Sequence, residues 1–282
     1  MLRGFDSLKY NLVVLRSYEW EVGIIGAGIM GEALLVAISK GGITSSSISI
    51  ADKRADRLTD LQNKYGCSTS NAADLALKAR NILLVVKPQD MDSLLGEIGK
   101  FISTSQRVIS FAAGKKTSHI EEFLPEGVPV LRVMTNTPMS AGIGASAISK
   151  GKHASKKDVK AVEELLKASG KTIVVDESLQ DAVTATSGSG PAYFFRFVEA
   201  MINGAKDLGL SESDAKTLVI QTITGAAAML NVKGASPSTL RENVTSPNGT
   251  TFAALQVFES MDIEGLVKKA MRAARDRSQE LS

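Results

Sequence analysis

The stretch "VGIIGAGIMGEALLVAISKGG", residues 22–42, constrains the fold more than any other part of the chain. A run rich in β-branched residues, Val22 to Ile25, leads directly into Gly26-Ala27-Gly28-Ile29-Met30-Gly31. A helically spaced apolar segment closed by two glycines follows. G-x-G-x-x-G alone is a weak pattern, because glycine is common. Between a strand and a helix it has a mechanical meaning. Gly26 permits the tight turn, Gly28 lets a pyrophosphate approach the backbone, and Gly31 lets helix and strand pack closely. The phosphates would sit on free N–H groups at the positive end of the helix.

The segments that follow alternate. "SISIAD" (47–52), "NILLVV" (81–86), "RVISFAAG" (107–114), "VPVLRVM" (128–134), "GASAIS" (144–149) and "KTIVVDE" (171–177) read as strands. Helical segments lie between most of them, which predicts crossover units and a largely parallel sheet. Beyond Asp176 strand signals cease. "LQDAVTATSGSGPAYFFRFVEAMINGAKDLG" reads as helix interrupted at "SGSGP", and Ser211 and Ser236 read as N-caps of later helices. The spacing predicts further helices near 251–260 and 263–280. The expected organisation is an N-terminal extension over 1–20, a dinucleotide-binding domain over 21–178 and a helical domain over 179–282.

With 282 residues, two domains are expected. A net charge of +3 without a dense basic run gives no sign of a nucleic-acid partner. The "LVVL" run near the N-terminus is far short of the ~20 apolar residues a membrane span needs. Cys67 is the sole cysteine and His119 and His153 the sole histidines, which excludes an internal disulfide framework and a cysteine-built zinc site and argues against a histidine metal cluster. That cysteine usage fits a reducing, cytoplasmic setting.

Several positions are candidates for ligand contact. At the end of the second strand, Asp52 suits a ribose 2′-hydroxyl, whereas Lys53 and Arg54 suit a 2′-phosphate, so NAD and NADP stay open at this point. Val86, Lys87 and Pro88 end a buried strand at the carboxyl edge of the sheet, where such folds bind ligands. Ala112 and Ala113 leave space beside a dinucleotide. "TSPNGTTFAAL", residues 245–255, places Ser246, Thr250 and Thr251 at a turn before a helix, a setting suited to a carboxylate. His119 and His153 lie in charged surface segments, and no Ser-His-Asp or Cys-His arrangement is visible.

Taken together, "GAGIMG", "VVKPQ", "MTNTP", "SGSGPAY" and "SPNGTT" resemble the 1-pyrroline-5-carboxylate reductase family from about Glu21 to Leu281. The resemblance implies a Rossmann-type α/β domain followed by an all-α dimerisation and substrate domain. It implies reduction of a cyclic imine to L-proline by NADPH or NADH, the last step of proline biosynthesis. A ring imine can arrive protonated and the nicotinamide supplies the hydride, so the absence of histidine or cysteine chemistry is no obstacle. The resemblance assigns the substrate carboxylate to Ser246, Gly249 and Thr250. Thr251 becomes the partner of the ring nitrogen and a candidate proton donor. Ser187, Ser189 and Gly190 become lining residues, and Asn71 and Asn136 cofactor contacts. It implies a homodimer as the minimal unit, with a decamer left open. The chain departs from the family pattern at Thr135, where proline is usual, at Asn248, where glycine is usual, and at Asp52, where NADPH users often have Asn or Ser. Two other readings stay open: a β-hydroxyacid-type dehydrogenase, with Lys206 as its loosely comparable lysine, and a dinucleotide-binding protein without turnover.

Overall fold

The computed structural model describes residues 17–280, so most of the expected N-terminal extension, residues 1–16, lies outside the described residues. The first half runs β1 (Trp20–Ile25), α1 (Ile29–Lys40), β2 (Ile48–Ala51), α2 (Ala55–Tyr65), β3 (Ser68–Thr69), α3 (Ala72–Lys78), β4 (Ala79–Leu84), α4 (Met91–Ile98), β5 (Arg107–Ser110), α5 (Thr117–Glu121), β6 (Val130–Met134), β7 (Gly144–Lys150), α6 (Lys156–Leu166) and β8 (Gly170–Val174). One eight-stranded sheet results, in the order β3-β2-β1-β4-β5-β6-β7-β8. Strands β1 to β6 are parallel, in the 3-2-1-4-5-6 order of a doubly wound dinucleotide fold. Strand β7 runs antiparallel to β6, because the link over 135–143 holds one 3-10 segment, Thr137–Ala141, and no α-helical crossover. Helix α6 then returns the chain to place β8 parallel to β7.

Alternation along the strands builds two apolar layers. Val22, Ile24, Ile48 and Ile50 pack with Leu34 and Ile38 of α1 and Val162 of α6 on one face. Ile25, Ile82 and Leu84 pack with Leu75 of α3 and Leu95 of α4 on the other. The expectation of a largely parallel sheet therefore holds, and the structure covers it on both faces. The short strand β3 was not anticipated, and β1 begins at Trp20 rather than Val22.

Among the described residues after β8 every regular element is helical: α7 (Gln180–Val183), α8 (Gly190–Asp207), α9 (Glu212–Leu230), α10 (Pro237–Asn243), α11 (Thr250–Ser260) and α12 (Ile263–Glu280). Ser211 and Ser236 cap α9 and α10 by accepting N–H bonds from Asp214 and Thr239, as their positions predict. The "SGSGP" segment interrupts the α-helix as expected, with Ser189 a bend ahead of α8. Thr184–Gly188 forms a π-helical turn that carries α7 onward to α8. Among the described residues, no helix is long and apolar enough to cross a membrane.

Candidate active site

A cleft of about 730 Å³ opens at the carboxyl ends of β1, β2 and β4, where the strand order reverses. Its floor is the glycine turn, and the three glycines have three different surroundings. A Cβ on Gly26 would overlap the Val85 carbonyl, and Gly26 has φ +109°. A Cβ on Gly31 would overlap the Gly26 carbonyl. Beside Gly28 nothing lies within 4 Å on that side, and Gly28 itself faces the cleft. The first and third glycines thus serve the protein's own packing, and the second leaves room for a ligand. Helix α1 has no side-chain cap at Gly28, so its first N–H groups stay free for an anion.

The Ala27 peptide between these glycines is held from both sides. Its N–H donates to Asp52 Oδ2 at 2.7 Å, and its carbonyl accepts from Arg57 Nε at 2.9 Å. Asp52 also accepts from the Arg54 N–H at 3.0 Å and from Arg54 Nε at 3.2 Å. Burial works against the Asp52 charge, but the Ala27 and Arg54 bonds outweigh it and hold the carboxyl below its usual range. Lys53, almost fully exposed, stands 3.7 Å from Asp90 across the cleft mouth.

Of the expected cofactor contacts, Gly26, Gly28, Asp52, Lys53, Arg54, Asn71, Val86 and Lys87 line this cleft. Asn71 also caps α3 by accepting the Asp74 N–H. Ile29 and Met30 instead line a smaller depression with Tyr65 and Thr137. Pro88, Ala112, Ala113 and Asn136 are not among the lining residues of either cavity. The Asn136 amide is committed within the protein: Oδ1 accepts the Ala145 N–H at 2.9 Å and Nδ2 donates to the Ser187 carbonyl at 3.0 Å. Sequence reasoning missed the far wall, formed by Gln89, Asp90, Ser93, Leu94 and Glu97. Positions 90, 93, 94 and 97 share one helical face directly after Lys87-Pro88, and that spacing was the available signal.

The Thr245–Thr251 segment forms the expected turn. Gly249 N–H donates to the Ser246 carbonyl at 3.0 Å, and Asn248 takes φ +56°, the left-handed conformation asparagine tolerates where the family has glycine. Gly249 precedes α11 without a side-chain cap, leaving N–H groups free beside the Thr250 and Thr251 hydroxyls. None of these residues lines the cleft. The Thr135 departure is absorbed locally, its buried hydroxyl accepting from Ser146 Oγ at 2.8 Å.

Neither histidine is as exposed as expected. His119 is half-buried and lies 2.8 Å from Asp92, and His153 is half-buried in its loop. Lys206 pairs with Glu212 at 2.9 Å on the surface between α8 and α9, away from the cleft lining. Among the described residues no cluster of His, Cys, Asp and Glu could hold a metal ion.

Residues 177–281 match the family described as pyrroline-5-carboxylate reductase dimerisation, and residues 21–114 match NADP oxidoreductase, coenzyme F420-dependent. The pyrroline-5-carboxylate reductase of Methanosarcina acetivorans is 41% identical, over 93% of this chain and 97% of its own. That of Pseudomonas aeruginosa is 37% identical, over 93% and 96%. The structure of the Coxiella burnetii pyrroline-5-carboxylate reductase superposes with a TM-score of 0.87 at 34% identity, covering 94% of this chain and 99% of that one. The Plasmodium falciparum pyrroline carboxylate reductase, solved with NADP bound, gives 0.83 at 28% identity, covering 94% and 99%. Identity of this order along nearly the full length of both sequences, in a chain whose glycine turn and late threonine turn are both formed, means that the chain belongs to the pyrroline-5-carboxylate reductase family.

Proposed function

We propose that this protein reduces 1-pyrroline-5-carboxylate to L-proline with hydride from NADPH, in an active site that two copies of the chain build together. The observation that carries the reading is a division of labour. The dinucleotide cleft lies wholly on the first half, and the hydroxyl-bearing turn at 245–251 lies outside it. We place the boundary between the halves near residue 178, between the last strand and the helical region.

The adenosine end belongs with β2 and the nicotinamide end with the β4–β6 side of the switch point. Asp52 has both carboxylate oxygens engaged by Ala27 and Arg54, so a ribose 2′-hydroxyl would have to compete for them. Lys53 and the exposed part of Arg54 stand at the same edge and suit a 2′-phosphate, which favours NADPH. The phosphates rest on the N–H groups opening α1, and Gly28 lets them approach.

The substrate carboxylate binds the N–H groups and hydroxyls of Ser246, Gly249 and Thr250. Thr251 hydrogen-bonds the ring nitrogen and returns its proton as the C=N bond takes up hydride. Ser187, Ser189 and Gly190 form the opposite wall. These roles rest on family membership and on the uncapped helix N-terminus. Helices α8 to α12 leave large apolar side chains in solvent, including Phe195 at 63%, Leu218 at 56% and Leu266 at 65% exposed. A second copy covers them and brings its turn to the cleft. A decamer would be a further stage built from such dimers.

Subunit complementation tests the shared site. Thr251→Ala should retain dinucleotide binding and lose ~10²–10³ in kcat. A cleft-blocked Gly28→Trp subunit should bind no dinucleotide. Hybrid dimers of the two should regain imine reduction, because one of their two sites has an intact cleft and an intact turn. Hybrids without activity would place cleft and turn in the same chain, and full turnover by Thr251→Ala would remove the proton-donor role.

A further inference from the structure

The "SGSGPAY" segment folds into a helix whose backbone donors are displaced by one position. The Ser189 N–H donates to the Thr184 carbonyl at 2.8 Å, a five-residue reach rather than the usual four. In an α-register it would have gone to Ala185. The Tyr193 hydroxyl instead donates to the Ala185 carbonyl, at 3.1 Å. Two residues on, the α-register donor for the Ser187 carbonyl would be residue 191, which is proline and has no N–H. The Asn136 Nδ2 supplies that bond from the other half of the chain, at 3.0 Å. The amide's orientation follows from its partners, since Oδ1 accepts from the Ala145 N–H and Nδ2 faces a carbonyl. Gly188 closes the arrangement by lying against Met134 at the end of β6, where a Cβ would come within 3.3 Å of the Met134 Sδ.

We infer that Asn136 and Tyr193 are positioning residues for imine reduction: they hold the Thr184–Gly188 π-turn in register and so set where Ser187, Ser189 and Gly190 stand relative to the nicotinamide. This rests on the reading above that these three residues form a wall of the substrate site. Pro191 removes the α-register donor for the Ser187 carbonyl, the Ala192 N–H goes to the Ser189 carbonyl at 3.0 Å, and the Asn136 amide, held by the Ala145 N–H of β7, gives the Ser187 carbonyl its partner. The wall is thereby tied to the same end of the sheet as the dinucleotide cleft, because β6 runs parallel to β5 and Asn136 follows its carboxyl end. A slip of the π-turn would move each wall residue around the helix, and a displacement of about 1 Å at a reacting pair can cost on the order of a hundredfold in rate.

The test uses the full-length protein with Tyr193→Phe, which removes one hydroxyl, and Asn136→Asp, which keeps the acceptor for Ala145 and removes the donor to Ser187. Steady-state kinetics with pyrroline-5-carboxylate and fluorescence titration with NADPH are the readouts. Each variant should lose roughly tenfold to a hundredfold in kcat, with NADPH affinity within twofold of the parent. The double variant should be no worse than the weaker single one, because both act on one register. Turnover within twofold of the parent in both variants overturns the inference, even if melting temperature falls. So does a parallel loss of NADPH affinity, which would mean general damage. Ser187→Ala and Ser189→Ala separate the two readings: unchanged imine kinetics in both removes the substrate wall itself, whereas altered kinetics there with intact Tyr193→Phe and Asn136→Asp removes only the positioning role.

Discussion

At the scale of single residues, the glycine turn separates packing from binding in a way that mutation can read. Gly28 has φ −69°, an ordinary conformation for any residue, and open space on its Cβ side. Gly28→Ala should therefore melt with the parent while binding NADPH at least tenfold more weakly, since the methyl group would stand where the pyrophosphate comes. Gly31→Ala should behave in the opposite order. Its Cβ would press on the Gly26 carbonyl, and overpacking of this kind costs about 1–3 kcal/mol. Thermal melts with fluorescence titration distinguish the pair, and equal melting temperatures for both would contradict the packing role of Gly31. The motif itself makes these roles legible, because all three glycines act within six residues of one another. The role of Asp52 was not legible in the same way. Its carboxylate is engaged by Ala27, 25 positions earlier, and nothing near Asp52 announces that partner.

At the scale of elements, Glu32 ties α1 to α2. Its carboxylate accepts from Tyr65 Oη at 2.7 Å and Lys64 Nζ at 2.9 Å and pairs with Arg57, whose Nε also holds the Ala27 carbonyl. Tyr65, Lys64 and Arg57 together lower its pKa from 4.5 to about 2. A depressed carboxylate contributes stability that is complete above its unfolded pKa and is lost as pH falls through the folded one. The tie should therefore hold at pH 5 and weaken between pH 4.5 and 2, the limits set by those two values. Urea melts at pH 5 and pH 3 should show the parent losing more stability than Glu32→Gln over that interval, on the order of 1 kcal/mol once solvent screens the exposed Lys64 partner. Equal losses would mean that the cluster does not stabilise the helix pair. Helix limits and caps such as Ser211 were readable because capping is local. The interruption at "SGSGP" was readable from its glycines and proline, but its π-turn form was not, because the donor that serves the Ser187 carbonyl, Asn136, is far away in sequence.

At the scale of the whole molecule, the helical half is built for company. In one copy, among the described residues of α8 to α12, Gly190, Ala215, Val219 and Ser278 are the buried ones, whereas phenylalanines and leucines on several helices stay in solvent. An exposed apolar surface of this extent marks an interface. Phe195→Glu combined with Leu218→Glu should shift native mass spectra from paired to single chains. The separated chains should still bind NADPH through the first-half cleft but lose imine reduction. Single chains with full turnover would contradict the shared site. Burial raises the pKa of Cys67, which packs as a thiol within the first apolar layer.

Local signals along the chain were enough for the doubly wound sheet, the change to helices after the last strand and the glycine and threonine turns, because periodicity, glycine spacing and caps act over a few residues. Only folding brings about the far wall on α4 and the turn before it, the commitment of Asp52 and Asn136 to backbone partners, and the separation of the threonine turn from the dinucleotide cleft within one chain. Those depend on which groups meet across dozens of positions, and the hydrogen-bonding demand of a buried or displaced peptide group does not name its partner until the chain is folded.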